Sequence, residues 1–89
     1  MSRTRAAEWN GQFYRVDCLM QLCASNALLL AVIKPLTLVN EVAGSYMVEA
    51  ISTGAEQMVW INAEPIRACN LVTDSRYVEP GLAWVIPCN

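Results

Sequence analysis

The chain has 89 residues, enough for one domain and no more. Six Lys and Arg against eight Asp and Glu leave a formal charge of −2, which argues against a sequence-independent grip on nucleic acid, since that needs a basic surface. Apolar residues at 55% and charged ones at 16% exclude a disordered chain, and the absence of His excludes Ser–His and Cys–His catalytic pairs and His-ligated metal.

Residues 1–12 are polar and aperiodic and read as an N-terminal arm, which Trp9 and Phe13 can fold back onto the body. From Val16 the pattern turns helical. Val16, Leu19, Met20, Cys23 and Ala27 fall on one apolar stripe, with Asp17 at the positive end of the dipole and Asn26 suited to a left-handed cap. The spacing predicts a short helix over roughly residues 16–25. Strands follow. Leu28 to Ile33 is a continuous apolar run stopped by Lys34-Pro35, because proline does not sit in a central strand. Thr37 to Ala43 is next, ended by Gly44-Ser45, and then Tyr46 to Thr53, ended by Gly54-Ala55-Glu56 as a hairpin turn. Gln57 to Ile61 is apolar at four consecutive positions, so both of its faces are expected to be covered. Asn62-Ala63-Glu64-Pro65 makes a one-turn link to a fifth strand, Ile66 to Val72. Leu82 to Ile86, framed by Pro80-Gly81 and Pro87, reads as an edge strand or a docking segment.

These elements predict a mainly β fold with one N-terminal helix, a five-stranded antiparallel and strongly curved small barrel. The expected organisation is an arm at 1–12, a helix-plus-barrel domain at 13–76 and a C-terminal tail at 77–89. The rival fold is a helical hairpin from Phe13 to Ile33 packed on a three-stranded sheet. Asn26 and the β-branched pair Val32-Ile33 rank it second.

The run from Cys18 to Ile33 contains Gln21, Ser25 and Asn26 and is shorter than the roughly 20 apolar residues a membrane span needs. Arg3 and Arg5 lead into Glu8, Trp9 and Asn10 rather than an apolar core, so no signal peptide is read there and a cytoplasmic address is expected. Cysteines at 18, 23, 69 and 88 form no CxxC pair, which disfavours zinc, and a reducing compartment disfavours disulfides. Cys18 or Cys23 and Cys69 read as small buried hydrophobes and Cys88 as a tail thiol. No cofactor is expected.

The order helix then five strands, with an apolar strand, a short turn and a second strand over Met58-Val-Trp-Ile-Asn-Ala-Glu-Pro-Ile-Arg-Ala-Cys69, resembles the Sm-like and SH3-like small barrels. Within that class the chain resembles the Rof (YaeO) family of inhibitors of the transcription termination factor Rho. The matching residues are Asp17 and Cys23 for the family's Asp-entered helix, and Gly54-Ala55-Glu56-Gln57-Met58-Val59 for its Gly-Ala-Glu before a Val-rich strand. The resemblance covers about residues 14–72. The family is far more acidic, its middle strands match only by pattern, and the Arg-bearing arm and the tail from Tyr77 have no counterpart.

An acidic patch of Asp17, Glu41, Glu49, Glu56 and Glu64 is the candidate partner-binding surface, weighed against ordinary solvated strand positions. Trp9 and Trp84 are the flanking contact candidates, and Trp60 reads as core. No pair of carboxylates has a Gly-rich cleft or an orienting residue beside it, so an enzyme is not expected. The function expected is a non-enzymatic regulator that binds and inhibits a protein partner, with a Rho-type termination factor implied by the resemblance. The alternatives are a mobile-element-encoded inhibitor of another host protein, or a structural subunit that oligomerises through apolar faces. Direct nucleic-acid binding is not expected. So low a charged fraction also implies an apolar surface that a partner covers.

Overall fold

A computed structural model describes residues 5–21, 29–61 and 63–88. Its elements are β1 (Arg5–Trp9), β2 (Gln12–Gln21), β3 (Leu29–Leu36), β4 (Leu38–Val42), β5 (Ser45–Glu49), β6 (Gln57–Trp60), β7 (Arg67–Val72) and β8 (Leu82–Pro87). They form one antiparallel sheet in the order β4-β5-β8-β7-β1-β2-β3-β6. The sheet is not closed, and β4 and β6 are its edges. The fold is therefore mainly β, as expected, but it has eight strands rather than five and no helix among the described residues.

Asn10-Gly11 and Ala43-Gly44 build the two tight hairpins. Asn10 and Gly11 have φ of 53° and 75°, Ala43 and Gly44 of 51° and 82°. Positive φ at both central residues is the type I′ turn, whose twist matches the flanking strands. Asn10-Gly11 thus joins β1 to β2 in register, with Trp9 opposite Gln12 and Arg5 opposite Val16. The expected arm is in this way drawn into the sheet as an inner strand between β7 and β2. The expected tail is likewise inner, because β8 lies between β5 and β7.

The helix expected over 16–25 is overturned for residues 16–21, which belong to β2, and residues 22–25 lie outside the described residues. The physical reason is a bulge. Register shifts between Val16 and Cys18, so that Val16 opposes Ile33 while Leu19 opposes Ala31. Ile33 and Ala31 share a face, so Val16 and Leu19 share it too. One extra residue in a strand therefore reproduces the i, i+3 spacing of a helix.

Strand β3 passes through Pro35 where a stop was expected. The Pro35 carbonyl accepts a hydrogen bond from Ser52 Oγ, while the next carbonyl, Leu36, accepts one from Gln12 Nε2 at 2.8 Å. A strand residue points both backbone groups the same way, so the missing Pro35 N–H would have faced away from β2. No ladder bond is lost, because β6 pairs with β3 only as far as Ile33. The Gly54-Ala55-Glu56 hairpin is not formed: β5 pairs with β4 and β8, and β6 pairs with β3.

Two apolar clusters occupy opposite faces of the sheet. Ala6, Phe13, Leu36, Val48, Cys69, Leu71, Ala83 and Val85 form one, with the Phe13 and Tyr46 rings 4.6 Å apart. Tyr14, Ala31, Ile33 and Val59 form the other, flanked by Trp9, Val16, Ile61 and Ile66. Neighbours Ala6 and Ala7, and Phe13 and Tyr14, are all buried, so the β1–β2 hairpin is covered on both sides. Cover on both faces of Gln57 to Ile61 does not hold. Val59 is buried, but Met58 is 72% and Trp60 38% exposed, since β6 is an edge. Among the described residues no helix is long and apolar enough to cross a membrane.

Three substitutions test this packing. Leu36→Ala empties a fully buried position where six strands meet, and should cost about 2–5 kcal/mol in urea unfolding. Gly54→Ala would place a Cβ inside the Pro35 ring, whereas the same change at Gly11 meets open space and strains only the positive φ. Gly54→Ala should therefore destabilise by about 1–3 kcal/mol and Gly11→Ala by about 1–2 kcal/mol. Only the first should be relieved by shrinking Pro35 to Ala.

Candidate functional site

The acidic set does not converge. Asp17 sits at the β2 bulge with its Oδ1 2.6 Å from Arg15 Nε, so its charge is met by its own strand. That contact holds the Arg15 guanidinium more firmly protonated than usual, through the hydrogen bond first. Glu41 lies on edge strand β4 and Glu56 directly before β6, the opposite edge of the strand order. Glu49 ends β5, and Glu64 lies in the link from β6 to β7, where its carbonyl accepts Ile66 N–H at 2.8 Å. All five carboxylates are exposed, each on a different strand or connection.

The two flanking tryptophans are tied into the structure. Trp9 shares a face with Tyr14, their ring centroids 6.0 Å apart, and its indole N–H is buried without a partner among the described residues. Trp84 on β8 donates Nε1–H to the Tyr77 carbonyl at 3.0 Å, pinning the 73–81 connection to the sheet. Both are half-buried. Two further ion pairs stand among the described residues. Arg67 meets Glu8 at 3.2 Å across β7 and β1, and Arg76 meets Asp74 at 2.7 Å, which pulls the Asp74 carboxyl below the usual range.

The surface that stands out is β4. All five of its residues are exposed, with Leu38 at 50%, Val39 at 51% and Val42 at 48%. One side of β4 pairs with β5, and the other is unpaired among the described residues. Its register shifts between Leu38 and Asn40, and the Asn40 side-chain oxygen accepts the Glu41 N–H at 2.9 Å. A bulge and a carboxylate are common guards of a sheet edge, but an edge bearing this much aliphatic surface still offers a template to another strand. The sequence showed Thr37 to Ala43 as a strand. It did not show that this strand lacks a second neighbour, because edge position is set by long-range pairing.

Of the thiols, Cys69 is buried, as expected, while Cys18 and Cys88 are exposed; of the two alternatives for a second buried thiol Cys18 is thereby removed, and Cys23 lies outside the described residues. Burial first, and then the Glu8 carboxylate, push the Cys69 thiol up. The native state holds that proton more tightly than the unfolded chain does. Its contribution to stability is therefore complete below the ordinary thiol value and is lost as pH rises through the native one. The urea midpoint should fall across that alkaline window, and Cys69→Ala should flatten the fall. Site-resolved alkylation of the native protein should modify Cys18 and Cys88 well before Cys69.

Comparison with protein-family models, with curated proteins and with solved structures found no match to this chain.

Proposed function

We propose that this chain is a non-enzymatic cytoplasmic regulator that binds a protein partner, and that the partner adds an extended segment to the open side of β4. The observation that carries the reading is the β4 edge, where three aliphatic side chains are about half exposed within five residues. In strand addition, main-chain hydrogen bonds supply affinity and alternate side chains supply selection. Register puts Leu38 and Glu41 on one face of β4 and Val42 on the other, so each face offers an aliphatic contact to an apolar partner segment, and Glu41 favours a basic residue opposite.

A Rho-type termination factor as that partner rests on the resemblance at Gly54-Ala55-Glu56-Gln57-Met58-Val59. Its other half required a helix from Asp17 to Cys23, and residues 17–21 of that stretch are strand. The dispersal of Glu41, Glu49, Glu56 and Glu64 also favours the edge over a single acidic face.

The test is affinity capture from bacterial lysate, with purified Rho assayed in the same format. Val39→Lys with Val42→Lys should abolish capture while changing stability by no more than about 0.5 kcal/mol, both positions being exposed. Glu56→Lys with Glu64→Lys should leave it intact. Loss of capture, or of Rho binding, in the second variant alone would return the site to the acidic residues. A defined oligomer by light scattering that Val39→Lys with Val42→Lys dissolves would make a second copy the strand donor.

A further inference from the structure

A cavity of about 390 Å³ lies on the face of the sheet that carries the Tyr14–Ile33 cluster. Its floor follows from the register. Asn70 opposes Arg5, Arg5 opposes Val16, and Val16 opposes Ile33, so one row crosses β7, β1, β2 and β3 on a single face. Leu19, brought to that face by the β2 bulge, and Ala31 opposite it extend the floor. Ile61 and Ile66, at either end of the link from β6 to β7, form further wall.

We propose that this cavity binds an aliphatic carboxylate, its chain among these residues and its head group at Arg5. The volume falls in the range of small-molecule sites, roughly 300–1,000 Å³. Among the described residues, and apart from two thiols, the lining is aliphatic except for Arg5 and Asn70, with no aromatic ring and no carboxylate. A straight saturated chain fits such a wall better than a flat aromatic one. Arg5 is exposed, and it lacks an ion-pair partner among the described residues, unlike Arg15, Arg67 and Arg76. Its guanidinium can take a carboxylate in two parallel hydrogen bonds, with the Asn70 amide beside it as a third donor. The head group stays at the wet rim, so only the chain needs to be desolvated.

Decanoate, kept below its micellar concentration, tests this by titration calorimetry on the full chain, with 1-decanol and acetate as controls. The expected result is saturable one-to-one binding of decanoate, at least tenfold weaker binding of decanol, and none of acetate. Arg5→Gln should bring decanoate down to the level of decanol, Arg5→Lys should restore part of the difference, and Ala68→Phe, at the cavity wall, should weaken both ligands together. Absence of saturable decanoate binding would overturn the proposal. So would equal affinity for decanoate and decanol in the unmodified chain, a comparison that decides the matter even where a variant fails to fold.

Discussion

The arrangement depends on one covalent constraint. Strands β3 and β4 are separated by Thr37 alone, yet they stand seventh and first in the strand order. One nearly continuous stretch of chain must therefore serve both ends of an eight-stranded sheet. A flat sheet cannot do this, so the sheet curls until the far end of β3 meets β5. The Glu49 N–H donates to the Thr37 carbonyl at 2.9 Å at that junction. Leu36, the last residue before the junction, is fully buried in a cluster fed by β1, β2, β3, β5, β7 and β8. Curling thus gives one face of the sheet an enclosed core without a second layer.

The opposite face is enclosed differently. Its cover comes from the link between β6 and β7, whose Ile61 and Ile66 pack against Tyr14, Ala31, Ile33 and Val59. Covering both faces of the β1–β2 hairpin explains why two adjacent alanines are buried in β1. It also accounts for much of the high apolar fraction, since central strands have no solvent side on which to carry charge. What is left over lies partly at the two edges, in Leu38, Val39 and Val42 on β4 and in Met58 and Trp60 on β6, and partly outside them, in Ile51 and Tyr77 of the connections and in Leu19 and Ile86.

The strands after Leu29 were legible because each is an apolar run punctuated by glycine or proline, and local chemistry sets such runs. Which strand pairs with which was not legible. Gly54-Ala55-Glu56 has hairpin composition, but the pairing of β5 with β8 and of β6 with β3 is decided by contacts far apart in sequence. The β1–β2 hairpin did carry a local signal, Asn10-Gly11, the dipeptide that most readily supplies two positive φ values. Its polar surroundings masked it. At Asp17 the opposite happened, and a bulge imitated helical spacing. For the candidate site residues chemical type was legible but company was not: a carboxylate's neighbours across a sheet are invisible until register is known.

Charge does little to hold this fold together. The three ion pairs among the described residues are solvent-accessible, and two of them join residues only two apart, Arg15 with Asp17 and Arg76 with Asp74. Exposed local pairs add little to stability, because they are screened and survive in part when the chain unfolds. Packing and the backbone ladder carry the structure instead. Surface charges are then free to be placed for binding, and the described carboxylates without an ion-pair partner are scattered, while the described cations without one are Arg5 and Lys34. A dispersed negative surface imposes no single docking geometry, since each charge acts over about a Debye length. Geometry at β4 comes from the backbone row itself, and geometry at the cavity from the bulge that turns Leu19 toward Ala31. In both places the shape of the surface is set by strand register, and charge enters only at single positions, Glu41 on the β4 edge and Arg5 at the cavity rim.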